Sequence, residues 1–257
     1  MSPMTIAWIV FGVIFIGALL GVVLRARLPD HHVAEGSKDL VRLVMGLIAT
    51  MAALVLGLLI ASAKGSYDTQ SGEVVHIAAD IIQLDRILSL YGPETLQARA
   101  GFRATMERAI DRVFPHDGGK SANLALTGDK PGDKNPSAVL YALIANLQPE
   151  TSVQRFAQTQ ALEIGAELSR TRVLLYEQAG SSIPWPFLVV LVFWLVILFM
   201  GFGLFAPINA TVLATLLVGA LSVAGAIFLI LELDRPFEGL MRLSSTPLRE
   251  ALALIGQ

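Results

Sequence analysis

No cysteine occurs among the 257 residues. That absence excludes a disulfide, a thiolate metal site and a cysteine nucleophile, and cysteine usage assigns no compartment. Charge is scarce as well: 16% of the chain is charged against 54% hydrophobic, and the mean hydropathy is +0.64. That is too apolar for an ordinary soluble domain of this length. There is no basic excess either. A formal net charge of −2 argues against a nucleic-acid partner, which demands a basic face. Catalytic patterns are missing too. His31, His32, His76 and His116 have no partners at zinc-ligand spacing, and Gly201-Phe202-Gly203 lies inside an apolar run, where it is no phosphate loop. The sequence predicts no enzyme, no cofactor and no metal.

What the chain does have is four long apolar runs: Ile6–Leu24, Leu40–Ala63, Phe187–Phe205 and Thr211–Leu231. A helix needs roughly 20 residues to cross a bilayer. Only Arg42, two residues inside the edge of the second run, puts a charge in any of them. A charge at the bilayer centre costs a few kcal/mol, so these are spans of an all-α membrane protein. The first is expected to be retained, because Met1–Thr5 carries no Lys or Arg and no small-x-small site precedes Arg25.

The spans form two hairpins, residues 1–63 and 184–234, joined respectively by Arg25–Asp39 and by Pro207-Ile208-Asn209. Between them residues 64–183 read as a helical extramembrane domain. Val74, Ile77, Ile81, Leu84, Leu88 and Tyr91 make a 3-4 seam, ended by Gly92-Pro93. Leu96, Phe102, Met106, Ile110 and Val113 continue as a helix. Residues 115–136 lack apolar periodicity and read as a mobile loop. Helices are expected over Ser137–Leu147 and Glu150–Gln178, the latter with Val153, Phe156, Ile164, Leu168 and Leu175 on one side. Trp185 suits the interfacial belt. Residues 235–257 form an amphipathic tail that lies at the interface or docks on the domain.

Two hairpins put the N-terminus, the helical domain and the tail on one side. Arg25, Arg27, Lys38 and Arg42 mark the first loop as cytoplasmic, against Lys64, Arg235, Arg242 and Arg249 near the opposite ends. With the first span deciding, the domain is expected on the periplasmic side of a bacterial inner membrane.

Two constellations stand out. Arg42, Gly46, Thr50, Ala53, Gly57, Ala61 and Lys64 follow at i+3 or i+4 and line one stripe of the second span. The stripe reads as a pore wall with a cation at each mouth, or as a close helix–helix contact with snorkelling end charges. Thr211, Thr215, Gly219, Ser222 and Ala226 make a similar stripe, and Gly17-x-x-x-Gly21 is a further contact pattern. The second constellation is Glu232, Asp234 and Arg235 before Pro236. Carboxylates at a helix C-terminus oppose its dipole, so the corner is either a salt bridge or an ion site.

Gly65-Ser66-Tyr67-Asp68-Thr69-Gln70, then Leu231-Glu232-Leu233-Asp234-Arg235-Pro236-Phe237-Glu238-Gly239 with Ser244–Pro247, resemble the bacterial bestrophin-like family. The resemblance covers nearly the whole chain and implies four spans with a helical insert. Kinship with bestrophins implies an oligomeric anion channel and would put the insert in the cytoplasm. Bestrophin necks are lined by aromatic and aliphatic rings on the second span, whereas this one offers Gly46, Thr50 and Ala53, with no Phe. The expected function is thus a homo-oligomeric ion channel, anion-conducting, with chloride or another small ion and the bilayer as partners. The alternative is a non-conducting sensor or scaffold whose helical domain binds a partner. The lack of an intramembrane carboxylate argues against a proton-coupled transporter.

Overall fold

The computed structural model describes residues 2–27, 35–114, 136–178, 183–207, 209–237 and 239–255, and every regular element among them is helical. In chain order they are α1 Pro3–Arg27, α2 Glu35–Tyr91, α3 Leu96–Val113, α4 Pro136–Ala145, α5 Ser152–Gln178, α6 Trp185–Phe205, α7 Ala210–Leu233 and α8 Thr246–Leu254. Four of them are long and apolar enough to cross a bilayer, so this is a multi-pass membrane protein. His31, His32, His116 and the expected loop at 115–136 lie outside the described residues, except that Pro136 opens α4.

The second span and the first helix of the insert are one helix of 57 residues. Nothing between Ala63 and Val74 ends it: Gly65 and Gly72 cost propensity, but no proline or capping sequence intervenes. Contacts divide the chain into two units, residues 1–66 with 181–234 and residues 67–180 with 235–257.

In the first unit the apolar faces give little drive towards one another, because lipid is as apolar as leucine; close packing has to hold the spans together. The Gly17-x-x-x-Gly21 pattern supplies it. A Cβ on Gly17 would meet Val196 Cγ1 at 2.9 Å, and one on Gly21 would meet the Met200 carbonyl oxygen at 2.0 Å. Opposite them, a Cβ on Gly203 would stand 2.2 Å from the Ala18 oxygen. The paired numbers rise together, so α1 and α6 run parallel, as two hairpins entering from one side require. Ile14, Ala18, Leu191, Ala220 and Ile227 are wholly buried in this bundle.

Local chemistry ends these helices. The Arg25 guanidinium donates to the Ala206 carbonyl just past α6, supplying a cation and a donor where a helix needs both. Ala206 is extended before Pro207. The Asn209 side chain accepts from the Val212 N–H at 2.9 Å and caps α7.

The second unit packs by the hydrophobic effect, worth about 1.5–3 kcal/mol for each large side chain removed from water. The expected seam is its spine: Val74, Ile81, Leu84, Leu88 and Tyr91 are buried, with Ile77 half-buried. Gly92 turns the chain at φ +131°, a region that favours glycine. The buried Thr95 hydroxyl then contacts the Leu88 and Gly92 oxygens at 2.5 and 2.8 Å.

The apolar side of α5 is only partly its buried side. Val153 and Phe156 are exposed, while Ala157 and Ala161 are buried with Leu175, and Ile164 and Leu168 are half-buried. Small side chains let α5 approach closely, so alanines rather than the largest apolar residues set the contact. Leu96 is also exposed. Of the two places expected for the tail, the helical domain is the one it occupies. Leu248, Ala251 and Ile255 are buried in the same core, and Arg103 donates to the Ile255 oxygen at 2.8 Å.

Candidate functional site

A straight helix sets the stripe of α2 along one flank, and from Arg42 to Lys64 it runs roughly 33 Å at about 1.5 Å per residue. Arg42, Gly46, Thr50, Ala53, Gly57, Ala61 and Lys64 are all exposed. Cβ atoms added to Gly46 or Gly57 would meet nothing within 4 Å. These two glycines therefore do not mediate the close backbone contacts that Gly17, Gly21 and Gly203 do. The inward side of α2 is a different one: Ala52, Leu59 and Ala63 are buried, with Met45, Ile48 and Leu56 packed beside them. A third side is leucine-rich, with Leu40, Leu43, Leu47, Leu54 and Leu58 each more than 60% exposed.

The polar groups on the flank are locally engaged. Thr50 Oγ1 donates to the Gly46 and Leu47 oxygens of its own helix at 2.9 and 2.8 Å. Arg42 stands 3.7 Å from the Asp39 carboxylate, one turn earlier and just as exposed, a pairing worth little in solvent. The stripe of α7 behaves alike. Thr211, Thr215 and Ser222 are exposed, and the Thr215 and Ser222 hydroxyls donate to carbonyls four residues back at 2.9 and 2.8 Å. Gly219 differs, because a Cβ there would meet the Phe199 ring at 3.3 Å.

At the end of α7, Glu232 and Asp234 are buried and neither lacks a partner, whereas Arg235 is exposed. Burying two carboxylates where the helix dipole is negative is costly without compensation. Of the histidines, His76 lies exposed on α2.

One charged pair was not foreseen. Arg99 on α3 grips Asp85 on α2 bidentately, Nε to Oδ1 at 2.8 Å and the second nitrogen to Oδ2 at 2.7 Å, with both side chains nearly buried. That hydrogen bond raises the Arg99 pKa above its ordinary value. The only sequence signal was an aspartate inside an apolar seam, directly after Leu84.

A model of the Bestrophin-like domain matches residues 12–248 of this chain. No curated protein matches it, and no solved structure does.

Proposed function

Since the chain belongs to the bestrophin-like family, we propose that it is a homo-oligomeric ion channel whose pore is lined by α2. The carrying observation is the open flank from Arg42 to Lys64, whose glycines face empty space within one chain. The first unit's own interior is filled by Ile14, Ala18, Leu191 and Ala220, so a conducting path needs several copies around an axis. Small residues at Gly46, Ala53 and Gly57 leave room for an ion, and Arg42 and Lys64 provide a cationic ring at each mouth. Such rings raise local anion concentration, which favours chloride or another small anion. No step in this function is enzymatic and none calls for a cofactor or a metal. The positive residues after the first span set the orientation, with the helical domain periplasmic in a bacterial inner membrane.

Cysteine substitution tests the pore, since the native chain has no cysteine. Thiols at Thr50 and Gly57 in the reconstituted protein are expected to react with small charged reagents, and thiols at Leu47 and Leu54 to stay protected. Uniform protection would eliminate the pore.

The second reading is a non-conducting sensor or scaffold. It is favoured by a cavity of about 280 Å³ among α3, α4 and α5, lined by Phe102, Ile144, Leu168 and Arg108. The shape would take a small apolar ligand with one acidic group. Absence of current from a correctly assembled oligomer would move the assignment to this reading.

A further inference from the structure

We propose that the groove between α2, α6 and α7 at the Arg42 end binds an anionic phospholipid, one acyl chain inside and the phosphate on Arg42. The groove holds about 730 Å³, within the roughly 300–1,000 Å³ usual for small-molecule sites. Phe199, Phe202 and Phe205 of α6 line it, with Gly46 on the α2 side and Thr215 on the α7 side. The Thr215 hydroxyl donates to the Thr211 carbonyl at 2.9 Å, so it presents no unsatisfied donor to an alkyl chain. Among the described residues of its lining, Arg42 is the one that carries a charge.

Two placements favour lipid over other occupants. Arg42 lies two residues inside the apolar run that begins at Leu40, and the lining also includes Ala206 and Thr211, on either side of the turn at Pro207. The mouth is thus at the depth of headgroups and the body at the depth of chains. In a bilayer the surrounding solvent is itself acyl chain, so an open apolar groove on a spanning helix is filled by it. The guanidinium selects the headgroup. Its separation from Asp39, 3.7 Å, exceeds hydrogen-bond length, which leaves its donors available for a planar two-point grip on phosphate. The groove shares Arg42 and Gly46 with the flank assigned to the pore, so a phosphate on Arg42 takes that cation from the pore mouth. Thr50 and Gly57 do not line the groove, and thiol reactivity there tests the pore apart from lipid retention.

The test is mass spectrometry of the full chain released from vesicles of equimolar phosphatidylglycerol and phosphatidylcholine. The native protein is expected to retain phosphatidylglycerol preferentially. Arg42→Gln should lower that preference about fivefold, the weight of one basic residue at an anionic surface, while Arg42→Lys keeps part of it. Gly46→Phe, which fills the groove, should lower retention of both lipids. Equal retention by the native protein would overturn the proposal, as would an Arg42→Gln variant with normal thermal stability and unchanged preference. A Gly46→Phe variant that changes the oligomer mass while the amount of each lipid retained stays the same would also overturn it, by showing the groove to be filled by a second copy.

Discussion

Gly21 and Met200 touch backbone to backbone: a Cβ on Gly21 would stand 2.0 Å from the Met200 carbonyl oxygen. No rotamer change relieves such a clash, because the obstacle is main chain. The α1–α6 pair is therefore set by residues that have no side chain, in a medium where apolar side chains confer little mutual attraction.

Gly21→Ala and Gly203→Ala should each force α1 and α6 apart and lower stability by about 1–3 kcal/mol or more, the usual cost of overpacking. Gly12→Ala on the same α1 is the control, since a Cβ there meets nothing within 4 Å. Thermal unfolding in detergent should show a lowered midpoint for the first two and none for the third.

Asp85→Ala should be severe. It strands the Arg99 guanidinium in a site where its side chain is 12% exposed, and breaking a buried pair costs about 3–5 kcal/mol. Arg99→Lys should rescue poorly, because an ammonium cannot reproduce the two-point grip. Replacing both, Asp85→Leu with Arg99→Met, should recover most of the loss. Hydrogen exchange at the α2–α3 corner would report all three.

Asp80 has its carboxyl raised above the ordinary 3.8, first by burial and then by the Glu167 charge, with His76 opposing. A carboxyl that binds its proton more tightly folded than unfolded favours the fold at pH below 3.8. That contribution is lost as pH rises through the elevated folded value. At neutral pH the charged Asp80 is a liability. Asp80→Asn is therefore expected to raise the melting temperature at pH 7, with the gain shrinking as the pH falls towards 4. A gain that did not change with pH would refute the titration argument.

The tail should be separable from the core by single changes. Arg249 reaches the Asp111 carboxylate at 3.4 Å and the Phe114 oxygen at 3.3 Å, while Leu248 and Ala251 are buried. Leu248→Ala is expected to cost about 2–5 kcal/mol as a cavity. Ala251→Glu should undock α8 by burying an unpaired charge. Protease cleavage within residues 239–255 would rise in both, whereas Arg249→Gln, at an exposed pair, should change it little.

Much of this architecture was legible because hydropathy is an additive property of a run. Four spans need no knowledge of partners, and the 3-4 seam from Val74 to Tyr91 names a buried face whatever packs on it. Gly17 and Gly21 were readable for the same reason, since two small residues one turn apart mark a face that can approach closely. Which part of the apolar side of α5 is buried was not legible, because Phe156 outweighs Ala157 and Ala161 on any hydropathy scale, while contact distance favours the alanines. An aspartate inside the apolar seam was the sole sign of the Asp85–Arg99 pair, and its partner could not be named because the pairing depends on the turn at Gly92 folding α3 back on α2. The stripe of α2 was readable as a stripe, but its neighbours in an assembly are not encoded in one chain's periodicity.

Thr50 has already committed its hydroxyl proton. With that hydrogen directed at the Gly46 and Leu47 carbonyls, the outward side of the oxygen presents lone pairs, which a chloride would not seek. In an α2-lined pore any anion preference then arises from Arg42 and Lys64 acting at a distance rather than from coordination midway. Preference of that kind is a field effect, and mobile ions erode it as the screening length contracts from about 10 Å at 0.1 M to about 3 Å at 1 M. Selectivity in such a channel would be a property of the ionic strength as much as of the protein, strong in dilute solution and faint in brine.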